Sequence, residues 1–199
     1  SADEQPPEGT IHAFVAKVKL DNLTAEWLKH FTMSKNPASG VATASAFGCT
    51  VSNEGEGNLV YIAGVVEEGA VLVDADISTS NGKDDIFVVQ MNGGDGEINW
   101  IKQIGTSDNE RLARGGGIDV DDDGNAIVYA ETYGSMYRAR EANAVAPDLV
   151  VFTMSKEDGS YKAFTPDSLT DPSPTGAPSV SLAPSLTPTK SSAPSVSLA

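Results

Sequence analysis

Cysteine is nearly absent from this chain. Of 199 residues only Cys49 is one, so no internal disulfide can staple the fold. With just two histidines, His12 and His30, there is no Cys/His cluster for zinc. Basic residues are also few: 13 Lys and Arg against 28 Asp and Glu leave a formal charge of −15. That deficit argues against nucleic acid and anionic membrane surfaces as partners, since both are held by Lys and Arg. It leaves solubility and cation binding as two readings of the acid. No run approaches the ~20 apolar residues of a membrane span, so no membrane insertion is expected. No charged-then-apolar start resembles a signal peptide, and Ser1 reads as a mature or trimmed beginning.

What the chain does contain is repetition. Phe14-Val15-Ala16-Lys17-Val18, with Trp27 and Lys29 behind it, returns as Phe87-Val88-Val89-Gln90-Met91 with Trp100 and Lys102. All three aromatic and lysine spacings are 73 positions. A weaker third copy opens at Leu149 and runs to Met154. Repeats of this length point to stacked supersecondary units. Alternation marks strands at Ile11–Leu20 and Glu26–Phe31 around the turn Asp21-Asn22-Leu23-Thr24, and at Ile86–Met91 and Glu97–Ile104 around Asn92–Gly96. Asp158-Gly159 takes the place of Asp95-Gly96 in the third copy, and Asp-Gly between β-rich runs is a hairpin signal. Further on, Ala44–Ser52 and Leu59–Ala63 flank Glu54–Asn58, as Gly116–Asp121 and Ala126–Ala130 flank Asp122–Asn125. Each full unit therefore reads as four short strands. Val71-Leu72-Val73 and Met136-Tyr137, in the long links, read as an added edge strand or a loop over one face.

These units resemble the bacterial-type repeat of seven-bladed β-propeller proteins, whose pattern runs Asp-x-Phe-Val-x-Lys-Leu, a Gly turn, Trp, then Asp-x-x-Gly-Asn-x-Tyr-Val. Asp85, Phe87, Val88, Gly96, Trp100, Gly105, Asp121, Gly124 and Asn125 match in the second copy. Phe14, Val15, Lys17, Trp27, Gly57, Asn58 and Gly64 match in the first, with Tyr61 one place late. His12 and Gln90 depart from the pattern, and the third copy lacks the Trp. The resemblance implies an all-β fold of antiparallel four-stranded blade-like repeats, a partial or fragmentary β-propeller. Phe14 and Phe87 are then expected in like places, wedged between neighbouring sheets. Two units and a hairpin do not close a propeller, which needs about four to eight blades. A fragment of a longer protein, assembly with other copies, and a compact sandwich are the three ways out; an end inside a tail repeat favours the first.

That tail is the other strong feature. Ala177–Ala183 returns letter for letter as Ala193–Ala199, Pro, Ser and Thr make up more than half of the residues from Pro166 on, and no aromatic occurs there. Such a segment buries too little to offset backbone ordering of about 1–2 kcal/mol per residue, so a disordered or polyproline II tail is expected. Ser/Thr/Pro tracts form O-glycosylated stalks outside cells, or plain linkers. The tail is similar to those of secreted microalgal surface proteins. The expected layout is an opening loop at 1–10, repeats at 11–164 (about 11–84, 85–148 and a partial 149–164), and a disordered Ser/Thr/Pro-rich tail at 165–199.

The sharpest chemical candidate is Asp119-Val120-Asp121-Asp122-Asp123-Gly124-Asn125. Asp119, Asp121 and Asp123 have the spacing of alternate carboxylates opening a calcium loop, with Gly124 for the bend. The twelfth position is Ala130, with Glu131 one step off, and a plain hairpin turn explains the same residues. Asn22-Leu23-Thr24 is an N-glycosylation acceptor pattern and equally an Asx turn. Asp74, Asp76, Asp84 and Asp85 are candidate carboxylates for glycoside chemistry, or acidic loops of an acidic protein. Gly115-Gly116-Gly117 after Arg114 precedes no helix pattern and reads as a flexible start to a strand. Trp27 and Trp100 read as core between sheets before they read as sugar platforms. Cys49, in an apolar strand, reads as a buried small side chain.

The composite expectation is a non-enzymatic interaction or adhesion module of a secreted or cell-surface protein, binding a protein or carbohydrate ligand at rim loops. The alternatives are a polysaccharide-acting hydrolase or lyase using inter-repeat carboxylates, and a structural unit that self-associates through open blade edges.

Overall fold

A computed structural model describes residues 12–31, 33–34, 43–53, 58–67, 70–73, 75–79, 83–113, 116–136 and 146–163. The opening loop at 1–10 and the tail from 165 lie outside them. The described residues form fourteen strands and no helix. These are β1 Phe14–Val18, β2 Ala25–His30, β3 Met33–Ser34, β4 Ala44–Ser52, β5 Leu59–Glu67, β6 Val71–Leu72, β7 Asp76–Thr79, β8 Asp84–Asn92, β9 Ile98–Ile104, β10 Glu110–Leu112, β11 Ile118–Val120, β12 Ala126–Thr132, β13 Asp148–Met154 and β14 Tyr161–Ala163.

Three antiparallel assemblies carry the fold. β1 and β2 make a first hairpin, a central sheet runs β4-β5-β8-β9-β7, and a third sheet runs β10-β12-β13-β14 with β11 also on β12. β7 joins β9 in parallel, the exception in an otherwise antiparallel set. Val71-Leu72 is indeed a strand, but it pairs with β3 as a separate ribbon. Among the described residues no closed ring of sheets forms.

The sheets are out of phase with the sequence repeat. β4 and β5 come from the second half of the first copy, yet they pair with β8 and β9 from the second copy. Strand order in space is set by which apolar edges find each other, and β5 pairs with β8 along its whole length, from Leu59↔Asn92 to Glu67↔Asp84.

Alternation then gives every sheet a back face, toward the sheet before it, and a forward face, toward the next. Phe87, Val89 and Met91 point back from β8 into a cluster with Ala13, Phe31, Val60, Ile62 and Ile101. Ile86 and Val88 point forward with Tyr61, Ala63, Trp100 and Ile104, meeting Ala126, Val128, Ala130, Phe152 and Met154 of the third sheet. The central sheet is therefore covered on both faces, which is why β5 and β8 read as unbroken apolar runs.

One contact repeats between sheets. The indole of Trp27 lies over Gly96, in the next hairpin turn, where a Cβ would stand 2.7 Å from Cδ2. Trp100 lies over Gly159 in the same way, at 2.9 Å. Both glycines have positive φ, 74° and 69°, as these turns require. Trp27 Nε1 and Lys17 Nζ donate to the Gly93 carbonyl at 3.4 and 3.0 Å. Trp100 Nε1 and Gln90 Nε2 donate to the Lys156 carbonyl at 3.4 and 2.7 Å. The departure at Gln90 thus keeps the donor that Lys17 supplies. A bulge beside Lys17 and another beside Gln90 bring each indole into line.

Phe14 and Phe87 share a face but not a neighbour. Phe87 is fully buried, its ring 6.0 Å from that of Phe31. Phe14 points back from the first hairpin, where no described sheet lies; its ring is 6.3 Å from that of His30 and it is 62% exposed.

If the indole-on-glycine contact holds the sheets together, Trp100→Ala should lower unfolding free energy by about 3–5 kcal/mol in urea denaturation. Gly159→Ala should lower it by about 1–2 kcal/mol from backbone conformation alone. It should also shift Trp emission to the red in a Trp27→Phe background.

Candidate functional site

A concavity opens between the central and third sheets. It is a cleft of about 670 Å³ lined by Phe47, Val65, Glu67, Asp84, Arg111, Leu112, Ala113 and Gly116. Its construction begins with a bulge. Ala46 pairs with Gly64 and Gly48 with Ala63, so Phe47 is the extra residue in β4 and has no partner across the strand. A bulge re-aims its side chain, and Phe47 is 61% exposed at the cleft rather than buried in a sheet. Nearby the β4 and third-sheet backbones touch: a Cβ on Gly48 would stand 2.0 Å from the Gly116 carbonyl. Val65, Leu112 and Ala113 supply apolar wall. Glu67 ends β5, and Asp84 starts β8 on its forward side. Arg111 Nη2 is 3.7 Å from Asp84 Oδ2. Leu112 pairs with Ala130 and Arg111 with Glu131, so β10 places Arg111 at the rim. The site offers an aromatic face, a cation and two carboxylates.

Of the two candidate carboxylates whose side chains are described, Asp84 reaches the cleft and Asp85 does not. Asp85 turns back, is buried, and its Oδ2 accepts from Gln103 Nε2 at 2.8 Å. The Gln103 amide also donates to the Ala70 carbonyl and accepts from Leu72 N–H, so this group anchors the β6 segment. Asp74 and the side chain of Asp76 lie outside the described residues, as do Arg114, Gly115, Tyr137, Arg138 and Arg140.

Asp119 lies within β11 and pairs with Ile127, whereas Asp121 and Asp123 are on the turn that follows, so the three carboxylates do not share one loop. Asp121 Oδ1 accepts from the N–H groups of Asp123 and Asn125 at 3.0 and 2.8 Å, and Oδ2 accepts from the Asn125 amide at 3.1 Å. Asp119 Oδ1 accepts from Val120 N–H. Among the described residues no group of three or more His, Cys, Asp or Glu side chains is placed to hold a metal ion. Burial at the turn works against ionisation of Asp121, but the Asn125 and Asp123 bonds and the Lys156 charge outweigh it and hold its pKa below the ordinary value.

The Gly-Asn turn also binds sheet to sheet. Tyr61 Oη donates to the Gly124 carbonyl at 2.6 Å, and Gln90 Nε2 donates to Tyr61 Oη at 2.9 Å. Asn125 Oδ1 accepts from Lys156 N–H, and Lys156 Nζ donates to the Asp123 carbonyl. Asn22 sits in an exposed turn, its Oδ1 accepting from Thr24 N–H and Oγ1 at 3.1 and 2.6 Å. His12 Nδ1 lies 3.2 Å from the Phe31 carbonyl, and His30 stacks obliquely on Phe14.

Cys49 is exposed, not buried. The bulge at Phe47 shifts the alternation of β4, and β4 is an edge strand, so the thiol faces a hollow of about 240 Å³ beside Val15, Trp27 and Val51. Desolvation in that hollow raises its pKa above the ordinary value, which keeps it a protonated, weakly nucleophilic thiol at neutral pH. The cleft itself was missed by sequence reasoning; the one signal was a bulky Phe47 directly before Gly48.

No family model, curated protein or solved structure matches this chain.

Glu26 and Asp158 join Asp121 in having lowered pKa values. Glu26 is held down first by Lys17, at 2.9 Å, and Asp158 first by the Ser160 N–H. A carboxylate depressed in the folded state contributes stability that is present above its unfolded pKa and is lost as pH falls through its folded pKa. Thermal midpoints measured downward from neutrality should stay level, then drop below about pH 4. Asp121→Ala should lower the neutral midpoint and make that acid drop shallower.

Proposed function

We propose that this chain is a non-enzymatic interaction or adhesion module of a secreted or cell-surface protein, and that ligand binds in the cleft beside Phe47. The carrying observation is the cleft: about 670 Å³, within the usual range for small-ligand sites, and lined by an exposed aromatic ring together with Arg111, Asp84 and Glu67. The three stacked sheets are read as consecutive blades of a propeller-type array. The facing pattern and the repeated indole contact support that reading. The tail composition supports placement outside the cell, on a stalk.

The lining favours a saccharide. A sugar presents C–H faces to an aromatic ring and hydroxyls that donate to carboxylates and accept from a guanidinium. A polysaccharide-cleaving enzyme is the second reading, favoured by Glu67 and Asp84 lining the same cleft.

Titration of the folded chain with panels of oligosaccharides and peptides, followed by NMR, tests both. Binding should perturb the Phe47 ring and Arg111 Nε, and Phe47→Ala and Arg111→Ala should each weaken it by about tenfold or more, or ~1.4 kcal/mol. Unperturbed cleft resonances with every ligand would remove the proposal. Cleavage of a bound saccharide that is lost in Asp84→Asn or Glu67→Gln would replace it with the enzyme reading.

A further inference from the structure

Among the described residues two sheet faces meet no further sheet, and they are of opposite kind. The first hairpin shows its back face: Phe14, Val18 and Leu28 are 62%, 46% and 49% exposed, with Ala16 and His30 beside them. The third sheet shows its forward face: Leu149 and Tyr129 are 68% and 38% exposed, with Ile127 and Val151 half-buried between them. Inside the molecule, forward faces pack on back faces at both junctions. One chain thus carries both halves of a further junction of the same type.

The indole-on-glycine contact is altered at both of these faces, in complementary ways. In the first hairpin the turn position equivalent to Gly96 is Leu23, held at φ 55° and 77% exposed. Positive φ is unusual for a bulky residue, so the turn geometry is retained although the glycine is not. A forward face bearing Trp does not fit over Leu23, because even a lone Cβ at Gly96 would stand 2.7 Å from the indole. The third sheet carries no such Trp. Gln90 pairs with Trp100 across the central hairpin, whereas Thr153, the residue in Gln90's place, pairs with Lys162. Of the three forward faces, the third sheet's is the one that leaves room for Leu23.

We propose that a second copy of this chain is the occupant: the forward face of one copy's third sheet docks on the back face of the next copy's first hairpin. The contact is head-to-tail and uses sheet faces, not strand edges. Such heterologous contacts build rings or open chains. This proposal is independent of the cleft.

The test is a complementation experiment on the whole chain. Phe14→Lys blocks one face and Leu149→Lys the other; both positions are exposed, and near-UV circular dichroism with thermal midpoints checks that each variant folds. If either fails to fold, Val18→Lys or Tyr129→Lys replaces it. Sedimentation across micromolar concentrations should show the parent chain associating and each variant alone as a monomer. An equimolar mixture should form a heterodimer and stop there, since each variant keeps the face the other lacks. A parent that stays monomeric throughout would overturn the proposal and leave a sheet of a longer chain, or a different partner, as the occupant. Variants that assemble like the parent, or a mixture with no heterodimer, would overturn it equally.

Discussion

An indole laid over a left-handed glycine is the contact on which the rest of this structure depends. Trp27 on Gly96 and Trp100 on Gly159 set both the distance and the angular register between successive sheets. The contact joins three demands that few residues meet together. The turn needs positive φ, the ring needs bare backbone to approach, and the indole N–H needs an acceptor, found at the Gly93 and Lys156 carbonyls. Because the glycine sits on the sheet after the one carrying the Trp, each contact is a junction between units, not a property of one.

Once the junctions are fixed, the central sheet is buried on both faces, and its polar groups are then confined to paired positions. Gln90 is the clearest case. It is 1% exposed, yet its amide meets Tyr61, Asn99 and Lys156, so a buried polar side chain becomes a cross-sheet tie in place of a penalty. The same logic explains the Gly-Asn motif. Its turn delivers the Gly124 carbonyl to Tyr61 and the Asn125 oxygen to Lys156 N–H. The acidic residues beside it are turn-formers first, Asp121 most plainly. The ends of the strands, away from these ties, are where side chains remain available, and the cleft with Phe47, Asp84 and Arg111 opens there.

The strands, the tight turns and the positions of Trp27 and Trp100 were legible in the sequence, because alternation and Asx or Gly turn chemistry act over a few residues. Ala44–Ser52 was read to the residue, and the Asn92–Gly96 turn closes through the Asn92 and Asp95 side chains as such sequences do. The short strands β3, β7 and β10 left no local signal, since two to four residues carry no period, whereas β14 was marked by the Asp158-Gly159 turn before it. Cys49, expected to be buried from its apolar setting, is exposed because β4 is an edge strand and the thiol lines a hollow beside the first hairpin.

By itself, then, the sequence determined an all-β chain of recurring hairpins and which side of each strand is apolar. Only the tertiary structure decided what each side meets. That decision is non-local: strand pairing joins β5 to β8 across the repeat boundary, and matching positions of the repeat acquire unequal neighbours in space. Phe14 and Phe87 open matching segments of the repeat and face the same way, and one is open to solvent while the other is sealed, because burial belongs to the sheet opposite and not to the strand.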